Sequence, residues 1–427
     1  MARVVEQWPD QVAVCHGAET LTYGQLWEAA QREALRLREE LGVGAGQYYV
    51  DRCTQDVAYV VRFVALHLVG AQSDILYTTG STGTPKAVLL SEEGLVANAE
   101  HLIGAHGYHR GLRFVVCGPL DHFGPWSKML PTLMTGGTLI ILEGLKDTGA
   151  LLDALDTEGL TDSNGQRERS ATFLVPSAIR MLMQTCRERL EALADSIEFI
   201  ETGAAPIATA DMYGLRTLLP KTRLYNTYAS TETGIVCTYP FHLKQADGRG
   251  ADDETLQAGC VGQALPHARL SFTDEGNICV SGKMLMKGYL VKDGEGRWQL
   301  QETEVPYVTT DIGHLDAAGR LILTGRSSDF INVGGLKLSP VEVEDAAEGL
   351  TGVAECLCVA EPHRLMGQVP KLLVVMAEGA TLDKRALARE LLAKLGVPWK
   401  VPMHYEQVGE IAKLPNGKKD RKRYRTA

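Results

Sequence analysis

The chain has 427 residues, 45% hydrophobic and 22% charged, a composition typical of a globular protein of two or three domains with a large core. Its formal net charge of −10 argues against a nucleic-acid or anionic-membrane binder, because both need a basic face. Nine scattered cysteines without metal-ligand spacing, and no apolar run of roughly 18 residues, predict reduced thiols, no membrane contact and a cytoplasmic location.

Residues 21–42 contain the first clear element. Apolar side chains recur there at helical spacing, and Gly42 follows the last of them. The pattern predicts an amphipathic helix that ends at this glycine.

The stretch "YTTGSTGTPK", residues 77–86, is polar throughout. Gly80 and Gly83 free the backbone to turn its N–H groups inward, the hydroxyls add donors, and Lys86 adds a positive charge, so a phosphate suits this surface. The preceding "SDIL" predicts a strand that leads into the loop. A flexible linker has a similar composition, and the string does not match the Walker pattern, so the loop alone leaves both interpretations open.

From about residue 70 to residue 325, strand-like runs alternate with helical ones, which predicts an α/β domain. Two polar stretches, "DSNGQRERS" near 162 and "KQADGRGADDE" near 244, are predicted surface loops. The strand-like runs are "FVVCGPL", "TLIIL", "TFLVPS", "IEFIETG" and "LILTG".

The stretch "LYNTYASTETG", residues 224–234, places Tyr228, Ser230, Thr231 and Glu232 in one turn. Together they offer an aromatic face for a base, hydroxyls for phosphate and a carboxylate for Mg²⁺. An ordinary surface loop rich in Asn, Ser and Thr explains the segment equally well.

Asp311 and Arg326 stand at the two ends of a predicted strand–turn–strand. A carboxylate suits ribose hydroxyls because it accepts two hydrogen bonds at once. Gly334 and Gly335 follow, where a backbone can approach a ligand closely. A solvated hairpin and a plain loop-to-helix turn are the alternatives for these two sites.

After residue 329 the pattern changes to a smaller α+β module. Ser339, Pro340 and Glu342 predict a helix start with a capping box. Two short strands follow, then a last helix stopped by Gly396 and Pro398.

The C-terminal run "KLPNGKKDRKRYR" is strongly basic. A basic tail for nucleic acid is one interpretation. The "PNG" turn instead fixes the place of Lys418, which a disordered tail does not need.

Taken in order, these stretches resemble the adenylate-forming superfamily of acyl-CoA and aryl-CoA synthetases, luciferases and adenylation domains of peptide synthetases. The resemblance covers most of the chain, and each motif alone is weak. The matching strings are "YTTGSTGTPKAV", "TGAAPI", "NTYASTET", "MKGYL", "YVTTD", "GRSSDFINVGG" and "NGKKDR".

The resemblance implies an α/β fold with a large N-terminal adenylation domain, residues 1–326, and a small mobile α+β C-terminal domain, residues 327–427, that turns about a hinge at Ser328. It implies ATP, Mg²⁺ and CoA as cofactors. The expected activity is conversion of a carboxylic acid to acyl-AMP with release of pyrophosphate, then acyl transfer to the CoA thiol.

The resemblance also implies roles position by position. Lys418 is the expected catalytic lysine, with Thr231 and Glu232 beside it, and Glu232 as the ligand of Mg²⁺. The residues expected to hold the nucleotide are Thr78, Ser81, Thr82, Gly83 and Lys86 at the phosphates, Gly203, Ala204, Ala205 and Tyr228 at adenine, and Asp311 and Arg326 at ribose. Those expected elsewhere are Gly334 and Gly335 at the pantetheine thiol, and His122, Phe123, Trp126 and Gly203 in the acid pocket.

The lysine also has a rationale in its own chemistry. A carboxylate that attacks a polyphosphate brings two anions together, and a lysine with an ordinary pKa of about 10.4 stays cationic at neutral pH to offset their repulsion.

The chain departs from the family pattern in several places. Ser328 stands where Asp or Lys is usual, Ala229 replaces a glycine, and a histidine is missing near Glu92. Between "LHLVGA" at residue 66 and "DILYTTG" at residue 74 the family also carries many tens of residues more, so we expect an abbreviated N-terminal region.

The acid and the acceptor stay open at this point. Gly124 stands where amino-acid-activating relatives place an Asp, which favours an acid without an α-amine. CoA is the simplest acceptor. The alternatives are a stand-alone adenylation enzyme that loads a carrier protein, and a non-catalytic nucleotide-binding module.

Overall fold

The computed structural model describes residues 1–79, 85–161, 165, 167–243, 255–414 and 417–424. The predicted loop at 244–254, residues 162–164 and 166 of the one near 162, and Ser81, Thr82 and Gly83 lie outside the described residues, and the end of the loop near 162 is instead the start of a strand. The helices are α1 (Ala2–Gln7), α2 (Tyr23–Glu39), α3 (Val57–Val69), α4 (Glu92–His106), α5 (Phe123–Trp126), α6 (Met129–Met134), α7 (Thr148–Leu155), α8 (Pro176–Thr185), α9 (Arg187–Ala192), α10 (Thr209–Leu218), α11 (Pro340–Glu348) and α12 (Lys384–Leu395).

The strands are β1 (Val12–His16), β2 (Glu19–Thr22), β3 (Ile75–Thr79), β4 (Pro85–Leu89), β5 (Leu112–Val116), β6 (Thr138–Ile141), β7 (Arg169–Leu174), β8 (Ile197–Gly203), β9 (Arg223–Ser230), β10 (Gly234–His242), β11 (Cys260–Ala264), β12 (Ala268–Phe272), β13 (Asn277–Gly282), β14 (Gly288–Lys292), β15 (Trp298–Glu302), β16 (Tyr307–Leu315), β17 (Leu321–Arg326), β18 (Ile331–Val333), β19 (Leu336–Leu338), β20 (Val353–His363), β21 (Gly367–Met376) and β22 (His404–Gln407).

A thirteen-stranded sheet organises the large N-terminal part, in the order β12-β13-β16-β17-β11-β10-β9-β8-β7-β5-β6-β1-β2. Its middle, from β1 through β6, β5, β7 and β8 to β9, is parallel. Helices alternate with these parallel strands along the chain, as parallel connections require. The predicted α/β class, with a smaller α+β part after it, is confirmed.

The two faces of this sheet are buried in separate hydrophobic cores. Phe114 and Val116 of β5 face the core that contains α2, α3 and α4, whereas Val115 between them faces the core of α7, α8 and α10. A parallel sheet needs cover on both faces, and this explains why most residues of β5 to β9 are buried.

The helix predicted for residues 21–42 is confirmed as α2. The Thr22 hydroxyl accepts from the Gln25 amide, and the Gln25 side chain accepts from the Thr22 amide, so the helix begins with a capping box. It ends three residues before Gly42.

The strand predicted before the glycine-rich loop is also confirmed. It is β3, which belongs to a second sheet in the order β15-β14-β4-β3. Thr78 of β3 lies directly opposite Lys86 of β4, so the hairpin holds these two residues side by side.

The smaller part has a five-stranded sheet packed against α11 and α12. The two strands predicted as short are long, with eleven residues in β20 and ten in β21. The last helix is confirmed: α12 ends at Gly396, whose φ of 75° is the left-handed value that favours glycine.

The capping box predicted for α11 is wrong. Pro340 occupies the first turn as expected, but the Ser339 hydroxyl makes no capping bond and is buried without a hydrogen-bond partner among the described residues. Glu342, the other half of the predicted box, pairs instead with Lys400 at 2.5 Å.

All nine cysteines lie in the described part of the chain, and all are free thiols. Within the described ranges, no helix combines the length and the apolar character that crossing a membrane would need.

Candidate active site

Asp311 and Arg326 meet across the β16–β17 hairpin. They are register partners, and Arg326 Nε donates to Asp311 Oδ1 at 2.9 Å. Tyr228 donates its hydroxyl to the other carboxylate oxygen, also at 2.9 Å. The carboxylate is therefore oriented from two sides before any ligand arrives.

Tyr228 lies in β9, not in the turn where the sequence places it. Its side chain is buried, and burial together with the charge of Asp311 raises the pKa of the phenol well above its usual value. The hydroxyl therefore stays protonated and continues to donate to Asp311. Its expected place against adenine stays a prediction.

The turn after β9 presents Thr231 and Glu232. Ser230 and Thr233 close it reciprocally, since each backbone N–H donates to the hydroxyl oxygen of the other at 3.0–3.1 Å. The backbone amide of Met286 donates to the Glu232 carbonyl at 2.9 Å. Glu232 thus projects from a fixed turn.

Tyr289 is a member of this site that the sequence reasoning missed. Its hydroxyl donates to Glu232 Oε1 at 3.3 Å and lies 3.1 Å from the hydroxyl of Tyr307. Lys86 Nζ lies 4.9 Å from the centre of the Tyr289 ring, a cation–π distance. The signal was the "MKGYL" string, which contains Tyr289 but has no assigned role.

Lys418 comes to the same site from the small C-terminal part. A tight turn positions it: Leu414 donates its amide to the Lys418 carbonyl, and Gly417 donates to the Leu414 carbonyl, both at 2.8 Å. Ser177 at the start of α8 donates its hydroxyl to the Gly417 carbonyl at 3.0 Å. These bonds hold the backbone at Lys418, whereas Pro415 and Asn416 of the predicted "PNG" turn lie outside the described residues.

The electrostatics of Lys418 identify its neighbours. Burial and, less strongly, the positive charge of Arg326 lower the pKa of its ammonium to about 8, against the opposing effect of Asp311 and Glu232. The fold therefore brings the lysine, the Asp311–Arg326 pair and Glu232 into one electrostatic environment from three separate stretches of sequence.

Two of the cations that follow Lys418 are paired within the small part. Lys419 Nζ pairs with Glu348 at 2.6 Å, and Arg421 Nη1 pairs with Glu344 at 2.6 Å. Both partners belong to α11. These two cations stabilise the small part internally. Because they are already paired, they do not support the interpretation of the basic run as a nucleic-acid-binding tail.

The turn expected at adenine begins at the carboxyl end of β8. A Cβ at Gly203 would lie 2.6 Å from the Thr227 carbonyl oxygen, so only glycine permits this approach. Ala204 follows at φ +65°, a left-handed conformation that costs roughly 1 kcal/mol or more for alanine. In open parallel sheets, ligands bind at this end of the strands.

On the acid side, Phe123 and Trp126 are buried in α5. Trp126 donates its indole N–H to the Tyr59 hydroxyl at 2.9 Å. The rings of Phe123 and Trp126 line a cavity of about 10 Å³, which holds no more than a water. His122, just before the helix, hydrogen-bonds Asp121 at 2.6 Å.

Phe173 fills the space between α5 and the end of β8. Its ring would lie 2.9 Å from a Cβ at Gly124 and 3.6 Å from one at Gly203. Sequence reasoning had no means of finding it, because Phe173 sits inside an ordinary apolar strand.

Gly334 and Gly335 form the two-residue turn of the β18–β19 hairpin, with φ values of +58° and +94°. The turn is therefore a hairpin, not a loop-to-helix turn. Ser328 lies between β17 and β18 and donates its hydroxyl to Asp329 at 3.1 Å. The roles expected of these residues stay predictions.

Comparisons with known proteins agree with this geometry. The family model "AMP-binding enzyme" matches residues 74–290, just over half of the chain, and "AMP-binding enzyme C-terminal domain" matches residues 342–418. The chain is 28% identical to indoleacetate–CoA ligase of Aromatoleum aromaticum over 82% of its own length and 66% of that protein, and 26% identical to 4-coumarate–CoA ligase 5 of Oryza sativa subsp. japonica over 83% and 65%.

Among solved structures, ATP-bound MatB from Rhodopseudomonas palustris superposes with a TM-score of 0.81 at 21% identity, over 99% of this chain and 98% of that one. The chain thus spans about two thirds of the length of the curated relatives it matches. The structural similarity to MatB, in contrast, extends over nearly the whole of both chains. The chain belongs to the family of AMP-binding enzymes.

Proposed function

We propose that this protein activates a carboxylic acid with ATP to give acyl-AMP and pyrophosphate, and then transfers the acyl group to the thiol of CoA. The observation that carries the proposal is the convergence of Lys418 with Arg326, Asp311 and Glu232. A half-buried cation beside an Asp–Arg ion pair and an acidic turn suits a reaction that joins two anions.

The phosphate side fits a nucleotide. The Thr78 hydroxyl is buried and has no hydrogen-bond partner among the described residues, and it stands opposite Lys86. An orphaned donor beside a cation is what a phosphate oxygen would satisfy.

The acidic turn fits Mg²⁺. Among the residues that the structure describes, no cluster of three or more potential ligands occurs, so Glu232 would share the ion with phosphate oxygens. Mg²⁺ is commonly bound in this way, by one or two carboxylates and substrate phosphates. The ion would supply positive charge that neutralises the departing pyrophosphate.

In the first step a carboxylate oxygen of the acid bonds to the α-phosphorus of ATP. The bond between that phosphorus and the oxygen that bridges it to the β-phosphate breaks, and pyrophosphate leaves. Lys418 would offset the charge that develops on the phosphoryl oxygens, while Asp311 and Arg326 hold the ribose. In the second step the thiol sulfur bonds to the acyl carbon, the bond to AMP breaks, and the thiol proton leaves to solvent.

We also propose the domain limits and the remaining roles that the sequence predicts. Residues 1–326 would bind ATP and acid, and residues 327–427 would turn about Ser328 between the two steps. Gly334 and Gly335 would then receive the thiol. The names of the curated relatives, which are CoA ligases of aromatic and other organic acids, support CoA as the acceptor and an acid without an α-amine.

The test is pyrophosphate release from ATP and Mg²⁺ with short-chain, long-chain, aryl and amino acids, each with and without CoA. We expect release that depends on one class of acid and turns over only with CoA. The Lys418→Ala protein is the matched blank. If pyrophosphate release depends on an acid but not on CoA, the acceptor is the thiol of a carrier protein and not CoA. If no acid causes release, the proposal is contradicted.

A further inference from the structure

Four charged side chains meet where the small C-terminal part contacts the large part. Arg180 of α8 and Asp211 of α10 belong to the large part, and Glu348 of α11 and Lys419 belong to the small part. We call them the four-charge cluster. Their side chains are between 8% and 22% exposed, so solvent screens them only partly.

The contact between the two parts is made by Arg180 and Glu348. The guanidinium donates to both carboxylate oxygens, from Nη1 at 3.0 Å and from Nη2 at 2.6 Å. This bidentate arrangement is the strongest geometry for an ion pair in proteins. Two weaker contacts flank it, from Thr209 to Asp345 at 2.9–3.0 Å and from Ser177 to Gly417 at 3.0 Å.

Each half of the cluster is also paired internally. Arg180 Nε donates to Asp211 at 3.0 Å within the large part, and Lys419 donates to Glu348 at 2.6 Å within the small part. If the two parts separate, each charge keeps a partner. Separation therefore does not strand a buried ion, which would be the main cost of breaking such a contact.

Asp211 acts against the contact. Burial and the negative charge of Glu348 raise the pKa of its carboxyl, while Arg180 and, less strongly, Lys419 lower it. Asp211 and Glu348 also share one donor, because Arg180 Nη2 lies 2.5 Å from Asp211 Oδ2 and 2.6 Å from Glu348 Oε2, so two like charges compete for it across the interface. Removal of the Asp211 charge should therefore strengthen the contact, whereas removal of the Arg180 charge should break it.

The cluster is coupled to the catalytic lysine through the backbone. Lys419 follows Lys418 directly, and its ammonium also donates to the Cys356 carbonyl at 2.7 Å, so the Lys418 backbone is held to α11 and β20. Arg180 holds α11 in turn. The position of Lys418 at the site therefore depends on a side chain that does not touch the site.

We infer that Arg180 and Asp211 are positioning residues with opposite effects: Arg180 holds Lys418 at the nucleotide, and Asp211 weakens that hold so that the small part can leave for thioester formation. This inference rests on the proposed function, because it assigns the two residues to its two steps.

The experiment compares Arg180→Met and Asp211→Asn in the two half-reactions. Adenylation is measured by pyrophosphate exchange, and thioester formation by mixing purified acyl-AMP with enzyme and CoA. We expect Arg180→Met to lower adenylation by about tenfold or more while thioester formation is maintained or faster. Asp211→Asn should maintain adenylation and slow thioester formation by about threefold to tenfold.

Arg189→Met is the matched control. Arg189 pairs with Asp153 on the surface of the large part, so its loss removes an arginine without touching the interface. We expect both half-reactions to stay at the wild-type rate. If Arg180→Met and Asp211→Asn change both half-reactions in the same direction, the residues are merely structural and the inference is wrong.

A second measurement needs no catalysis. Small-angle scattering of the unliganded full chain should give a larger radius of gyration for Arg180→Met than for wild type, and an equal or smaller one for Asp211→Asn. Equal radii for wild type and Arg180→Met would overturn the inference. If wild type releases no pyrophosphate with any acid, the proposed function fails, and the scattering still decides whether Arg180 holds the two parts together.

Discussion

The nucleotide side of the candidate site is a set of polar side chains that orient one another. Tyr228 and Arg326 bind the two oxygens of Asp311, and Tyr289 connects Glu232 to Lys86. The acid side is different. Phe123, Trp126 and Phe173 are packed there, and the cavity that Phe123 and Trp126 line is of the size of a water.

Only one of these two sides has its polar groups already in place. Hydrogen bonds fix the side proposed to bind the nucleotide, so we expect ATP to bind there with little rearrangement. On the acid side, aromatic rings must move before an organic acid enters. We therefore expect substitutions on the first side to change rate or ATP affinity, and substitutions on the second side to change the choice of acid.

The largest effect should come from Lys418→Ala. Because its charge acts mainly in the transition state, we expect adenylation to fall by about a thousandfold or more while ATP affinity changes by only about threefold. Single-turnover formation of acyl-AMP measures the adenylation rate, and calorimetric titration with ATP measures the affinity. Lys422→Ala, an exposed lysine close by in sequence, is the control. A wild-type rate in Lys418→Ala would remove this lysine from catalysis.

Asp311→Ala should have the next largest effect. It removes the acceptor of both Tyr228 and Arg326, so we expect ATP affinity to fall by roughly tenfold to a hundredfold. Titration with a non-hydrolysable ATP analogue measures it, and Glu304→Ala, on the exposed start of the same hairpin segment, is the control. Unchanged affinity would exclude Asp311 from the ribose site.

The pH dependence should be smaller but specific. The pKa of Lys418 is lowered to about 8, so in the free enzyme the ammonium is present below that pH and is lost as the pH rises through it. We expect kcat/KM for ATP in adenylation to fall by about tenfold per pH unit above about 8. Bound polyphosphate favours the ammonium, so kcat should fall only at higher pH. A kcat/KM that is level to pH 10 would contradict this assignment.

The smallest effect should come from a substitution on the side proposed to bind the acid. Phe173→Leu should lower KM for bulky acids by about tenfold and leave KM for ATP unchanged, because it removes a ring from the space between Gly124 and Gly203. Phe241→Leu in the opposite core is the control for lost packing. If both variants accept the same acids as wild type, Phe173 does not border the acid site.

Most of the fold was predictable because its signals are local. The strand-like runs of the sequence overlap β5 to β8 and β17, and α2 and α12 have recognisable starts and stops. The capping box of α11 failed because Glu342 has a distant partner, Lys400, which no local pattern reveals.

The same distinction applies to the site. Asp311, Arg326, Glu232 and Lys418 were found because charged residues in polar motifs are conspicuous in a sequence. Phe173 was missed, since an aromatic residue within an apolar strand looks like any core residue. The cluster around Arg180 was missed because its charges are far apart in sequence and only the docking of two parts joins them.

The close approach of β8 to β9 at Gly203 limits how the enzyme can be redesigned. A methyl group there would collide with the Thr227 backbone, which cannot retreat without disturbing the sheet, so this wall of the site cannot be altered one side chain at a time. Gly124 instead faces the ring of Phe173, which a smaller side chain can replace. A library intended to change the acid should therefore vary residues 124 and 173 together and leave residue 203 untouched.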